Sequence, residues 1–92
     1  MLNRIPKPRL RRAREELRLS LRNAAALAGE KVSHQTVANW ELGVTEPRRG
    51  PALGAFYAMC RAYQRMCKHR ALDDRDWTYT PEDFEPDKLM QP

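Results

Sequence analysis

The chain has 92 residues, of which 41% are hydrophobic and 32% are charged, and its net charge is +5. This length predicts one small domain that has too little volume for two cores or for a large substrate cleft. No run approaches the roughly 18 to 20 apolar residues of a membrane span, and the N-terminus lacks the apolar stretch of a secretion signal. We therefore expect a cytoplasmic protein with no membrane partner.

The N-terminal segment is expected to form a loose, positively charged arm and then a first helix. Prolines at positions 6 and 8 exclude helix before about residue 9, and the arm carries three basic residues, Arg4, Lys7 and Arg9. Four residues then recur at helical spacing: Leu10, Ala13, Arg14 and Leu17. This spacing predicts a helix over residues 9–18, in which Arg14 is the one charged residue of the inner face.

A second helix is expected between Ser20, a good N-cap, and Gly29, a good C-terminal stop. Its inner face is rich in alanine, which permits close packing against a neighbouring helix. Its inner residues are Leu21, Ala24, Ala25, Leu27 and Ala28. A short connection then leads to the next helix, so that the pair forms a helix-turn-helix.

The third helix is predicted over residues 33–42, with Ser33 as its N-cap and Gly43 as its stop. Its inward stripe consists of Thr36, Val37 and Trp40. Its opposite face is polar but uncharged, and it carries His34, Gln35 and Asn39. These side chains donate and accept hydrogen bonds as base edges in the major groove require, so this face is expected to read DNA.

A loop with two helix breakers precedes a fourth helix, predicted over residues 51–69 with Pro51 in its first turn. Two adjacent apolar stripes run along this helix and make a surface wider than one packing contact needs. Cys60 and Cys67 lie on it and are interpreted as small buried hydrophobic residues. The alternative is a zinc site that also draws on His34 and His69, but no paired ligand spacing supports it, so we expect no metal and no cofactor.

The charge is divided unevenly along the chain. Residues 1–70 hold fifteen Lys and Arg against five Asp and Glu, a net charge of +10, whereas residues 71–92 hold two against seven, a net charge of −5. A basic body of this kind attracts polyanions such as nucleic acids. We therefore divide the chain into a helix-turn-helix domain with a basic arm, residues 1–70, and an acidic C-terminal extension, residues 71–92.

The C-terminal extension interleaves its acids with four large apolar residues: Trp77, Tyr79, Phe84 and Leu89. It is too apolar for an idle tail and too short to fold by itself. Its aromatic side chains are therefore expected to cover the surplus apolar face of the fourth helix around Met59, Tyr63 and Met66, in the same chain or across a dimer. The alternative is a disordered acidic tail.

From Leu10 to Leu53 the chain resembles the lambda-repressor-like helix-turn-helix domains, also called Cro-type or XRE-like. The resemblance rests on Leu10-x-x-x-Arg14-Glu15, Leu19-Ser20, Ala24-Ala25, Gly29, Val32-Ser33-x-x-Thr36-Val37-x-x-Trp40-Glu41-x-Gly43 and Pro47. It implies an all-α fold, a compact bundle of four to five helices. The C-terminal extension, which the resemblance does not cover, is expected to be irregular. The resemblance further implies binding to double-stranded operator DNA, commonly as a homodimer, with the second helix of the motif in the major groove.

The resemblance also implies roles for individual residues. His34, Gln35 and Asn39 resemble base-reading residues, and the phosphate-binding set is Arg22, Ser33, Thr36, Arg48 and Arg49. Arg14 and Glu41 match a pair of positions that form a salt bridge between the first and third helices. An arginine on an apolar face needs a buried carboxylate partner, which supports that pairing. The alternative is two separately solvated charges.

The chain departs from the family pattern in three places. Leu21 stands where the family often has a phosphate-binding glutamine, and Arg22 beside it is expected to substitute. The connection between the second and third helices contains two additional residues, Glu30 and Lys31, which affects the angle between those helices. Arg18 occupies a position that is often glycine, so we expect a less tightly turned end of the first helix.

These features predict a transcriptional regulator, of the repressor type found in phages and mobile elements, in which the homodimer forms through the fourth helix and the C-terminal extension. No nucleophile lies beside a base and no glycine-rich phosphate cradle is present, so an enzyme is not expected. The alternative is a protein-interaction module, antitoxin-like or binding the transcription machinery, that uses the same fold.

Overall fold

The computed structural model describes residues 7–29, 32–47 and 50–73. Within these ranges the fold is all-α and contains four helices and no strand. The helices are α1 (Pro8–Glu16), α2 (Leu21–Ala28), α3 (His34–Leu42) and α4 (Pro51–Asp73). The expected fold class is confirmed, and α4 extends past residue 70, where the sequence analysis divided the chain.

The core lies where the four helices meet, and every helix contributes to it. Its fully or nearly buried members are Leu10, Ala13, Leu17, Ala24, Ala25, Ala28, Val37, Trp40, Phe56, Met59, Cys60, Tyr63 and Cys67. Trp40 of α3 is 2% exposed, and its ring meets that of Phe56 edge to face, with ring centroids 5.4 Å apart. This contact anchors α3 against α4, because large aromatic rings contribute more buried area than other side chains.

Small side chains allow α2 to pack between its neighbours. Ala24, Ala25 and Ala28 are buried on one side of this helix, and α2 packs against both α3 and α4. After α2, the amide of Val32 donates to the carbonyl oxygen of Gly29 at 3.2 Å. The two additional residues between them, Glu30 and Lys31, lie outside the described part of the chain.

The end of α1 is turned tightly, contrary to the expectation drawn from Arg18. Arg18 adopts the left-handed conformation, with φ 58°. Its amide donates to Glu15 at 2.9 Å, and the amide of Leu19 donates to Arg14 at 3.0 Å. This is the hydrogen-bond pattern with which helices end at glycine, here formed by an arginine, so the helix-ending turn carries a steric cost.

The arm begins to be structured earlier than expected. Helix α1 starts at Pro8, which occupies its first turn, and Lys7 is only 3% exposed. The backbone amide of Lys7 donates to the carbonyl oxygen of Glu41 at 2.8 Å. The interpretation of Lys7 as part of a loose arm is therefore wrong, because this residue joins the start of α1 to the end of α3.

Both cysteines are free thiols buried in the core. Burial raises the pKa of Cys60 to about 12, which keeps the thiol protonated and unreactive at neutral pH. In the described ranges, no three His, Cys, Asp or Glu side chains lie close enough together to hold a metal ion. None of the described helices is long and apolar enough to cross a membrane.

Candidate nucleic-acid interface

Helix α3 is held at both of its ends by backbone geometry that its sequence dictates. The hydroxyl of Ser33 accepts a hydrogen bond from the amide of Thr36 at 3.2 Å, which makes Ser33 the N-cap. At the other end Gly43 is left-handed, with φ 76° and ψ 16°. The amides of Gly43 and Val44 then donate back into the last turn, at 3.2 and 2.9 Å. The helix therefore has a defined length and direction.

The three side chains predicted to read bases lie on the solvent side of α3. His34 and Gln35 are exposed in its first turn, and Asn39 is partly exposed one turn later. Gln35 Nε2 donates a hydrogen bond to Asn39 Oδ1 at 3.1 Å. The two amides therefore form one unit on the face opposite the buried side chains of Val37 and Trp40.

Ser33 and Thr36, assigned to phosphate contacts, differ in their exposure. Ser33 is exposed, whereas Thr36 is partly buried, and their hydroxyl groups share a hydrogen bond of 3.0 Å. Thr36 also lines an apolar groove with Val32 and Trp40. The structure therefore directs Thr36 partly towards the protein, in agreement with its membership of the inward stripe.

The N-terminus of α2 carries the third group of candidate contacts. Ser20 caps this helix, and its hydroxyl accepts from the amide of Asn23 at 3.0 Å. Arg22 and Asn23 are exposed beside the cap, whereas Leu21 is partly buried against the core. Leu21 therefore has a packing role, and Arg22 is the one cation exposed in this turn. Arg48 and Arg49 lie outside the described residues.

Arg14 and Glu41 connect the two halves of the motif behind this surface. Arg14 Nε donates to Glu41 Oε2 at 2.7 Å, and Nη2 donates to Oε1 at 3.2 Å. A third donor, Nη1, reaches the carbonyl oxygen of Leu19 at 2.9 Å. The Glu41 side chain is 3% exposed and that of Arg14 is 12% exposed. The hydrogen bond to Glu41 raises the pKa of Arg14 despite its partial burial.

This bidentate pair fixes the position of α3. The guanidinium group comes from α1, the carboxylate comes from the last turn of α3, and the carbonyl oxygen comes from the turn that leads into α2. A planar guanidinium that meets a carboxylate with two parallel bonds has little freedom to rotate. The pair therefore holds α3 at one orientation to α1 and to the start of α2.

A second ion pair, which was not predicted from the sequence, joins Lys7 to Glu46. Lys7 Nζ donates to the carboxylate of Glu46, in the loop after α3, and the Lys7 side chain is 1% exposed. Lys7 therefore binds both the end of α3, through its backbone, and the loop that follows it. No local signal identifies this pair, because a lysine before a proline in a basic segment is typical of a solvated arm.

The exposed face of α1 is less basic than its arginines suggest. Arg11 pairs with Glu15 at 3.0 Å and Arg12 with Glu16 at 3.6 Å, each one helical turn away. Both are surface pairs, which contribute little to stability. Their partners offset much of the local positive charge.

The model of the helix-turn-helix family matches residues 10–64, which include all of α2 and α3 and most of α1 and α4. The chain belongs to the Cro-type helix-turn-helix family. Membership of this family implies DNA binding, and its domains are typically not enzymes. No curated protein and no solved structure matches the chain.

Proposed function

We propose that the protein is a sequence-specific regulator of transcription, of the repressor type that phages and mobile elements use, and that α3 reads the major groove of double-stranded DNA. It acts where the DNA lies, in the cytoplasm. The observation that carries this proposal is the hydrogen-bonded pair of Gln35 and Asn39 on the exposed face of a helix with capped ends.

The pair suits base recognition because of the groups that it leaves available. One N–H of Gln35 is bonded to Asn39, so the second N–H and Oε1 can face a base. One donor beside one acceptor matches N7 and N6 of adenine in the major groove. The bond also restricts the Gln35 side chain before DNA arrives, which reduces the rotamer entropy lost on binding. We therefore expect an adenine opposite Gln35, with His34 contacting a neighbouring base.

The proposed phosphate contacts surround this helix. Arg22 lies in the first turn of α2, where unpaired N–H groups and the helix dipole favour an anion. Ser33 and Thr36 contribute hydroxyl groups at the start of α3, and Arg48 and Arg49 follow it in the chain. Contacts of this kind set the orientation of the protein on the duplex, while the side chains of α3 select the sequence.

We further propose that the protein binds DNA as a homodimer. A single α3 can contact only a few base pairs. Family members commonly double the number of contacted base pairs by forming dimers that place two such helices about 10 base pairs apart. The interface proposed from the sequence is α4 with the C-terminal extension. Among the described residues, the exposed large apolar side chains are Leu42 and Val44, beside the end of α3, and they offer additional apolar surface to a second copy. Sedimentation of the free protein and of its DNA complex measures the number of copies.

The decisive experiment selects preferred DNA from a random pool with the parent protein and then compares two variants on the selected site and on random DNA. Gln35→Ala should lose about 1–3 kcal/mol on the selected site and almost nothing on random DNA. Gln64→Ala is the matched control, since Gln64 is a partly exposed glutamine outside α3. Any loss through the proposed dimer contact of α4 would affect both DNAs, so the ratio of its affinities for selected and random DNA should equal that of the parent.

Two other outcomes would contradict parts of this proposal. Equal losses on both DNAs would remove Gln35 from base recognition while leaving DNA binding intact. An absence of any salt-dependent DNA binding by the parent would instead favour the protein-interaction module, because a basic surface that meets DNA must release counterions.

A further inference from the structure

A groove lies at the far end of the molecule from the start of α4, between the end of α1 and the last turns of α4. It has a volume of about 430 Å³ and is lined by Leu17, Arg65, Met66, His69 and Arg70. Its floor is apolar, with Leu17 7% exposed and Met66 partly buried. Its rim carries two arginines and a histidine. It therefore suits a ligand that combines apolar groups with negative charge.

Residues 74–92 combine apolar groups with negative charge. They hold six Asp and Glu against two Lys and Arg, a net charge of −4, and their large apolar residues include Trp77, Tyr79 and Phe84. Helix α4, by contrast, carries Arg61, Arg65, Lys68 and Arg70 against Asp73. The segment and the groove are thus complementary both in charge and in apolar content, and opposite charges at a partly apolar surface attract most where water is excluded.

The segment also starts in the right place. It leaves α4 at Asp73, and Met66 lies seven residues earlier, which is about 10 Å along the helix axis. The four residues from Asp73 to Trp77 can span about 13 Å when extended. Trp77 can therefore reach Met66 if the chain reverses after α4, and Tyr79 and Phe84 have additional length.

We propose that residues 74–92 fold back onto this groove in the same chain. The aromatic side chains contact Met66 and Leu17, and the carboxylates between them pair with Arg65, His69 and Arg70. Attachment through only a few residues gives the segment a high effective concentration at its own groove, which favours this arrangement over docking on a second copy. Met59 and Tyr63, which the sequence also placed on the face expected to receive the extension, belong to the buried core cluster.

The test is nuclear magnetic resonance of the full chain without DNA, so that its outcome does not depend on the proposed function. We expect nuclear Overhauser contacts between the Met66 methyl group and the rings of Trp77 and Tyr79. We also expect backbone order parameters near 0.85 in the docked part of the segment, compared with less than about 0.6 for a flexible chain. A sample that mixes two labelling schemes separates contacts within one chain from contacts between copies.

Two charge reversals on α4 test the electrostatic part. Arg65→Glu changes a residue of the groove, whereas Lys68→Glu makes the same change in charge at an exposed position that does not line it. Arg65→Glu should abolish the contacts to Met66 and lower the order parameters below about 0.6, and Lys68→Glu should leave both unchanged. Unchanged α1–α3 resonances establish that each variant is folded.

Three results would overturn the proposal. The segment would be undocked if its order parameters were below about 0.6 and its rings showed no contact with Met66. It would dock on a second copy if the contacts appeared only between differently labelled chains. The charge pairing would be excluded if Arg65→Glu and Lys68→Glu had the same effect on the contacts to Met66 and on the order parameters of the segment.

Discussion

Glu41→Ala removes one partner from the ion pair that holds α3 against α1. In the parent, two hydrogen bonds of 2.7 and 3.2 Å join Arg14 to Glu41, and both side chains are largely buried. After the substitution the guanidinium retains only the Leu19 carbonyl oxygen. A buried charge that loses its partner costs about 3–5 kcal/mol. The total stability of a small domain is about 5–15 kcal/mol, so the loss is a large share of it.

Urea denaturation followed by circular dichroism measures this loss. A lower midpoint at an unchanged slope reports a change in stability, because the slope depends on the surface exposed on unfolding. Glu15→Ala is the matched control. Glu15 pairs with Arg11 at 3.0 Å, but both side chains are 57% exposed, so its removal should cost less than about 1 kcal/mol.

A double variant separates the loss of the pair from the burial of an unpaired charge. Replacing Arg14 with methionine and Glu41 with leucine removes both charges and retains apolar volume. Such replacements of buried pairs are often neutral or stabilising, so this variant should be much more stable than Glu41→Ala. None of these substitutions removes the backbone carbonyl oxygen of residue 41 to which the amide of Lys7 donates, so the difference in stability reports the side chains. The reasoning would be refuted if Glu41→Ala lost no more stability than Glu15→Ala.

Three further predictions concern the helix-ending turn, the buried thiol and the loop after α3. Arg18→Gly relieves the strain of the left-handed conformation at φ 58° and should raise the free energy of unfolding by up to about 1 kcal/mol. Arg11→Gly, inside α1, should lower this free energy by about as much. Urea denaturation measures both changes, and changes of the same sign would contradict the prediction. Burial raises the pKa of Cys60 from 9.0 to about 12, so the unfolded chain loses this proton first and stability should fall above pH 9 by up to about 1.4 kcal/mol per pH unit. The stability of Cys60→Ala should fall less steeply than that of the parent between pH 9 and 11. An equal fall in both proteins would exclude the thiol as the cause. Replacing Arg48 and Arg49 with alanine should weaken binding to all DNA alike and flatten the salt dependence by up to about two units, and an unchanged slope would place this loop away from the phosphates.

Local chemistry explains why the sequence predicted the recognition helix well. Helix α3 begins after Ser33 and ends before Gly43 because of hydrogen bonds within a few residues of each end. Such caps act over one turn of chain. The spacing of Val37 and Trp40 identifies the buried side, and with it the exposed side that carries Gln35. The bounds of α2 follow from Ser20 and Gly29 in the same way.

The sequence was less informative where the position of a residue depends on contacts with residues far away in the chain. Lys7 appears in the sequence as one more cation of a basic arm, but its burial depends on Glu46, 39 residues away in the chain. Arg18 carries no local preference for the left-handed region, and it adopts that conformation because the chain must reverse tightly between α1 and α2.

The sequence by itself therefore determined the helices and their exposed and buried faces, because capping and helical periodicity are properties of neighbouring residues. Only the tertiary structure decided which buried charges meet and how Gln35 and Asn39 combine. It also decided that the basic end of α4 forms a groove with Leu17. These features depend on distances between side chains from different turns or helices, which a one-dimensional pattern does not specify.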